Sequence, residues 1–148
     1  MADPGTIISC PNCGTKNRVR ASPSGTPRCS VCHTLLPWIV EADPDGFDRE
    51  ITSSVPVLVD FWAPWCGPCR MVSPLVERIG RESAGRLKVV KLNVDDAPAI
   101  AERYAVRGIP LLVLFRDGAE IDRLVGAVPY PRLREWLEPH LEATAERT

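Results

Sequence analysis

The chain reads as an α/β domain preceded by a small metal-stapled segment. Three observations predict this. Strand-length apolar runs alternate with stretches of helical apolar spacing between residues 36 and 142. One run, Val55 to Trp62, is nearly continuous, as in a strand buried on both faces of a sheet. Ahead of them, four cysteines fall into two pairs within the first 33 residues.

Residues 1 to 9 read as loose. The cysteine pairs follow as Cys10-Pro-Asn-Cys13 and Cys29-Ser-Val-Cys32, with 15 residues between them. This C-x2-C-x15-C-x2-C spacing matches a four-thiolate zinc template. It predicts one structural Zn²⁺ held by Cys10, Cys13, Cys29 and Cys32. Each pair makes a tight turn that brings two sulfurs together, and two such turns complete a tetrahedron. Gly14 follows the first pair, where a turn often needs positive φ. Residues 10 to 33 form a zinc ribbon, with Ser22-Pro23-Ser24-Gly25-Thr26-Pro27 as its loop tip. The ribbon domain, residues 1 to 35, is too short and too polar to bury a core alone, so it needs a staple such as metal. His33 adjoins Cys32, but the cysteine set is complete without it. A second dithiol relay is the rival reading of these four thiols.

Residues 36 to 148 make the larger domain. Trp38-Ile39-Val40 is its first strand, and a short helix follows near Phe47 to Ile51. Val55 to Trp62 is the next strand. The helix after Cys66 places Val72, Leu75, Val76 and Ile79 at helical spacing. Leu87 to Asn93 is another strand. Pro98 opens a helix, where a missing N–H does no harm. Pro110 to Phe115 and Ile121 to Val125 read as a hairpin around Asp117-Gly118. Leu133, Trp136, Leu137 and Leu141 mark a closing helix, which Pro139 is expected to end or kink.

A length of 148 residues suits one ordinary domain plus a small one. Apolar content of 45% and charged content of 25% are globular values. A net charge of -1 points to neither nucleic acid nor membrane. Lys16, Arg18, Arg20 and Arg28 face only Asp3 in the first 40 residues. Four thiolates around Zn²⁺ add a net charge of about -2 there, which is poor footing for phosphate binding. A protein partner for the ribbon stays open. Met1-Ala2-Asp3-Pro4 has no basic start, no apolar signal region follows, and no apolar run is long enough to span a bilayer. Six cysteines without an export signal imply a reducing compartment, and the cytoplasm is the expected location.

The remaining two cysteines carry the chemistry. Trp65-Cys66-Gly67-Pro68-Cys69 sits where a strand gives way to a helix. A helix N-terminus offers free N–H groups and the positive end of the dipole, which stabilise a thiolate at the first cysteine. Cys66 is therefore expected to be the attacking nucleophile, with Cys69 the resolving thiol one turn on. Pro68 restrains the turn and supplies no N–H, so it should influence how readily the pair closes. Asp60 lies within the apolar strand. A carboxylate there is expensive, so its pKa should be raised, unless it faces solvent at a strand end.

Val59-Asp60-Phe61-Trp62-Ala63-Pro64-Trp65-Cys66-Gly67-Pro68-Cys69-Arg70-Met71 resembles the active-site block of the thioredoxin family. Pro74 stands where that family has a helix-bending proline. Lys91-Leu92-Asn93-Val94-Asp95 resembles its third-strand motif, and Arg107-Gly108-Ile109-Pro110 its cis-proline loop. Phe115-Arg116-Asp117-Gly118 resembles its hairpin turn, and Gly126 falls where the family keeps a glycine beside the active site. With the ribbon cysteines ahead of it, the chain resembles the bacterial thioredoxin 2 group.

The resemblance implies the thioredoxin fold, a central mixed sheet flanked by helices. It implies protein-disulfide reductase activity, with re-reduction by an NADPH-dependent flavoprotein thioredoxin reductase. This chain has no dinucleotide fingerprint, so the donor is another protein and no bound organic cofactor is expected. By the same resemblance, Asp60 lies beneath Cys69 and exchanges its proton, and Trp62 and Trp65 flank the site. A cis Pro110 would expose backbone around Ile109 beside Cys66, where a substrate strand can hydrogen-bond. Lys91 either pairs with Asp60 or faces the surface. One departure stands out: Leu111 follows Pro110 where the family usually carries threonine, next to the docking groove. Two rival classes share parts of this pattern. Disulfide-forming oxidases and isomerases use the same fold, but favour an oxidising setting and often a His between the cysteines, where this chain has Gly67-Pro68. The other rival makes the thioredoxin domain a scaffold for a ribbon that binds partners.

Overall fold

The strand predicted to be buried on both faces is the centre of the molecule. The computed structural model describes residues 3–146, with side chains through Leu141. β1 (Thr6–Ser9) and β2 (Lys16–Val19) pair antiparallel as a separate two-stranded sheet. The main elements follow as β3 (Trp38–Glu41), α1 (Phe47–Glu50), β4 (Val57–Trp62), α2 (Gly67–Glu82) and β5 (Lys88–Asn93). Then come α3 (Pro98–Arg103), β6 (Leu111–Arg116), β7 (Ala119–Val125) and α4 (Tyr130–Glu146). The five-stranded sheet has the order β3-β5-β4-β6-β7. β3, β5 and β4 run parallel, while β6 and β7 join antiparallel, so the sheet is mixed as expected.

Strand alternation divides the core into two layers. Val57, Val59 and Phe61 of β4 point to one side, where they meet Phe47 of α1, Ile100 of α3, and Tyr104. Leu58 points to the other side, with Val72, Val76 and Ile79 of α2 and Leu133, Leu137 and Leu141 of α4. Ladder pairing of β4 begins at Val57, after Pro56, which has no N–H to offer. α2 lies close against the sheet at Gly80, where an added Cβ would sit 3.0 Å from side-chain carbons of Ile39 and Val89. Among the described residues, no helix is long and apolar enough to cross a membrane.

One sequence expectation needs correction, and one of the two alternatives for Pro139 is removed. Residues 1 to 9 are not loose throughout: Thr6–Ser9 pairs with Lys16–Val19, and the Asp3 carboxylate accepts from the backbone N–H groups of Gly5 and Ala21. Met1 and Ala2 lie outside the described residues. Pro139 does not end the last helix, which runs on to Glu146. The proline removes one helical hydrogen bond. Leu133 and Leu137 before it and Leu141 after it are all buried against the sheet, and that packing holds the helix through the gap.

The amino-terminal segment packs directly on the larger domain. Leu36 is buried with Cys10 and Cys29. Trp38, Val40 and Val55 form a cluster with Ile8 and Val19 of the small sheet. Asp3 reaches Arg49 at 3.7 Å, and the Ser54 hydroxyl donates to the Gly25 carbonyl at 3.4 Å.

Beneath Trp38 lies a charge that no sequence pattern announced. Lys88 is fully enclosed, with its ammonium 2.8 Å from Glu50 Oε1 and 4.3 Å from the centre of the Trp38 ring. Burial pushes the lysine pKa down, and Glu50 opposes that shift. Removing one member of such a pair leaves an uncompensated charge inside the protein. Glu50→Ala should therefore lower unfolding stability by about 3–5 kcal/mol in urea titration. The double change Glu50→Leu with Lys88→Met should recover most of that loss. A loss in the single variant below about 1 kcal/mol would show that water reaches Lys88.

Candidate active site and metal centre

Cys66 occupies the N-cap of α2, with extended backbone at φ -87° and ψ 107°. Its Sγ accepts the backbone N–H of Cys69 at 3.2 Å, one of the donors that a helix start leaves free. Cys66 and Cys69 are joined as a disulfide, with their Cα atoms 5.3 Å apart. Gly67 and Pro68 are exposed between them, and Pro68 stands in the first turn of the helix. Both cysteines are buried, at 3% and 2% exposure, among Ala63, Trp62, Val94 and Ile109. Residue exposure therefore does not separate the two cysteines; position at the helix terminus does.

Trp65 is 68% exposed beside the disulfide. Its indole N–H donates to both carboxylate oxygens of Asp95, at 3.1 and 3.2 Å. The ring forms one wall of an open groove of about 790 Å³, with Val94, Arg107, Gly108 and Ile109 along the rest. The Ile109–Pro110 peptide bond is cis. The Pro110 carbonyl accepts from Gly126 N–H at 2.9 Å, which ties the loop to the end of β7. Gly126 has φ +89°, and nothing lies within 4 Å of an added Cβ, so conformation rather than space requires glycine there. Leu111 is not beside the groove. It is 2% exposed and packs in the core with Val59 and Phe61, because the pleat turns its side chain away from the site.

Asp60 lies mid-strand at 1% exposure, and neither carboxylate oxygen has a hydrogen-bond partner. Burial pushes its carboxyl up to about 6, with Lys91 pulling it down and Glu77 pushing it up. Lys91 is its partner in the β4–β5 register, yet the ammonium donates to Ser73 Oγ, and to Glu77 Oε1 at 3.2 Å. A cavity of about 160 Å³ is lined by Cys69, Trp62, Ser73 and Lys91 on this side of the sheet. Of the two expectations for Lys91, the electrostatic one fits, since its charge pulls the Asp60 carboxyl down, while its ammonium hydrogen-bonds to α2 rather than to the carboxylate. Sequence reasoning quoted Asp95 within a motif without giving it a role, and missed Ser73 and Glu77. The last two do carry a signal, since they follow Cys69 at steps of four along α2.

The second constellation assembles as its spacing requires. The sulfurs of Cys10, Cys13, Cys29 and Cys32 all lie within 4.8 Å of one another. Cys10–Cys32 and Cys13–Cys29 are each 3.5 Å apart. Four sulfurs about 2.3 Å from one ion stand about 3.8 Å from each other, so the set fits a tetrahedral metal. Backbone N–H groups of Asn12 and Cys13 aim at Cys10 Sγ, as does that of Val31 at Cys29 Sγ. Backbone N–H groups of Cys32 and Val31 hold the Cys29 thiol down to about 7. Thr34, by its hydroxyl and then its backbone, holds Cys32 down to about 5. The two turns match: Gly14 donates to Cys10 O at φ +79°, and His33 donates to Cys29 O at φ +65°. His33 thus takes the turn position that glycine fills in the first pair, and it is not among the clustered ligands.

Comparison with known proteins agrees with this geometry. The family model described as Thioredoxin matches residues 38–139. The chain is 53% identical over 96 residues to "Thioredoxin 1" of Nostoc sp., covering 64% of this chain and 90% of that one. It is 52% identical over 96 residues to "Thioredoxin 1" of Synechococcus elongatus, with the same coverage of 64% and 90%. It is 37% identical over 131 residues to "Thioredoxin M4, chloroplastic" of Arabidopsis thaliana, covering 86% of this chain and 68% of that one. The four clustered cysteines precede the segment matched by the family model.

The Asp60 environment has a measurable consequence. Its folded pKa, about 6, lies above the unfolded value of about 3.9. The unfolded chain therefore loses its proton first as pH rises. The stability contributed by this group is complete below about pH 3.9 and is lost as pH climbs through about 6. The total is on the order of 3 kcal/mol. Asp60→Asn should raise the stability of the oxidised protein by roughly that amount at pH 7 and by little below pH 4. Equal stabilisation at both pH values would mean that Asp60 does not titrate in this window.

Proposed function

The chain belongs to the thioredoxin family, and from that premise we propose that it reduces protein disulfides through the Cys66–Cys69 pair. As a member it is a thiol-disulfide oxidoreductase. The observation that carries the assignment to these two cysteines is the Cys66 sulfur on the N-cap of α2, accepting the Cys69 N–H. That donor and the helix dipole favour a thiolate at Cys66.

The reduced thiolate of Cys66 attacks one sulfur of a substrate disulfide. A mixed disulfide forms, and the other substrate sulfur leaves as a thiolate. Cys69 then gives its proton to Asp60 and attacks Cys66 Sγ. The Cys66–Cys69 disulfide forms, the second substrate thiolate leaves, and two electrons have passed to the substrate. Asp60 suits the proton step because a desolvated carboxylate is a stronger base than one in water. Trp65, Gly67 and Pro68 border the Cys66 sulfur, while Ile109 lines the groove where the substrate backbone docks, and Pro110 and Gly126 hold that loop in place. The cycle closes when a thioredoxin reductase, an NADPH-dependent flavoprotein, returns two electrons to the disulfide. The cytoplasm is the setting in which such a reductant works.

We further assign residues 1 to 35 as a zinc ribbon and residues 36 to 148 as the thioredoxin domain, an arrangement of the thioredoxin 2 type. Four thiolates in a closed tetrahedron favour Zn²⁺ and leave no position for water. The metal would therefore hold the ribbon together and take no part in the exchange.

Two measurements test this reading. Cys69→Ser should accumulate substrates as mixed disulfides on Cys66, whereas Cys66→Ser should lose insulin-reducing activity. Full activity in Cys66→Ser would sink the assignment. A strong chelator under reducing conditions should remove one Zn²⁺ per chain and unfold the β1–β2 sheet. Because Trp38 packs under Ile8 and Val19, tryptophan emission should shift to the red while disulfide reduction persists. Loss of the metal without any spectral change would separate the ribbon's fold from its metal.

A further inference from the structure

Lys91 stands beside Asp60 in the strand register, yet donates no hydrogen bond to it. The two residues are register partners on neighbouring parallel strands, and both side chains point towards α2. A lysine so placed would ordinarily close on a bare carboxylate. Instead, both Asp60 oxygens lack any hydrogen-bond partner. The ammonium is held from the other side by Ser73 Oγ and by Glu77 Oε1 at 3.2 Å. Cys69, Ser73 and Glu77 follow at steps of four, so one stripe of α2 carries the resolving cysteine and both anchors.

We propose that Ser73 and Glu77 are positioning residues for the proton step: they hold the Lys91 ammonium off Asp60, and so keep the carboxylate unpaired and ready to accept the Cys69 proton. This rests on the reading of Cys69 and Asp60 given above. A lysine in contact with Asp60 would stabilise its charged form and make it a weaker base. A lysine removed altogether would leave the charged form harder to reach. Tethering at intermediate distance sets the balance. The tether is also the exposed end of the network, because Glu77 is 40% exposed while Lys91 is 11% exposed. The charged groups facing this region are Lys91 from β5, Glu77 and Arg70 from α2, and Glu41 from the end of β3. Arg70 is turned towards the Pro64 carbonyl at 2.8 Å, and Asp60 faces apolar Leu112 on β6.

The test is the titration midpoint of Asp60 in the full-length oxidised protein, followed by carboxyl-carbon NMR on ¹³C-labelled aspartate. Ser73→Ala changes no charge, so any movement reports where Lys91 sits. It should lower the midpoint by about half a pH unit. Glu77→Gln releases the same tether and removes a negative charge, so the midpoint should fall further, by about one pH unit. Glu77→Asp should restore part of that loss. An unmoved or raised midpoint in Ser73→Ala overturns the proposal. A single-turnover pH profile of substrate release from the mixed disulfide keeps the two readings apart. If the midpoints fall but the rate profile stays in place, positioning stands and Asp60 is not the proton acceptor. If Asp60→Asn abolishes the acid limb while Ser73→Ala leaves the midpoint in place, Asp60 keeps its role and the positioning proposal fails.

Discussion

Every residue of β4 from Val57 to Phe61 is buried, and the site follows from that enclosure. The strand is hydrogen-bonded on both edges, to β5 and β6, and covered on both faces by helices. It can reach the surface only at its carboxyl end. There Trp62 hands over to the short segment that ends in Cys66, and α2 begins. Open α/β sheets bind their ligands at this end of the strands, because loops and helix N-termini converge there. The same enclosure explains Asp60. A carboxylate on the α2 face of such a strand is shielded from water, and the charges that shift it, Lys91 and Glu77, come from β5 and α2.

Three segments distant in sequence complete the surface around the disulfide. α2 contributes the N-cap sulfur. The stretch after β5 contributes Asp95, which fixes the exposed Trp65 ring by its indole N–H. The loop before β6 contributes the cis Ile109–Pro110 bond, held by Gly126. Hydrogen bonds fix each of them: Cys69 N–H to Cys66 Sγ, Val94 N–H to the Trp62 carbonyl, and Gly126 N–H to the Pro110 carbonyl. The groove between them therefore has defined walls although most of its lining is solvent-facing.

The amino-terminal segment is joined to this scaffold through β3. That strand has a sheet partner on one edge only, β5, and edge strands are vulnerable unless covered. Ile8 and Val19 lie against Trp38 and Val40, so the segment that carries the four clustered cysteines covers apolar surface that the larger domain would otherwise expose. Lys88 and Glu50 sit beneath the same tryptophan. The two cores meet at residues 36 to 40, and the unit formed by the four cysteines shares its packing with the sheet.

Much of this was legible in residue order. The cysteine spacing announced a four-sulfur cluster, the apolar run announced the central strand, and Cys66 before Gly67-Pro68 announced a capped helix start. These are local properties: spacing, periodicity and turn chemistry act over a few residues. What escaped depended on contacts between distant segments. The Trp65–Asp95 bond spans 30 residues and the Lys88–Glu50 pair 38, and neither has a pattern in the chain. The helix continues through Pro139 because buried leucines on either side outweigh one missing hydrogen bond, and Leu111 lies in the core because strand register, invisible in composition, turned it inward. The sequence by itself determined the elements, their order and the two sets of thiols. Only the tertiary structure decided which face each side chain presents and which charges meet, because burial and Coulomb interaction depend on distance in space rather than distance along the chain.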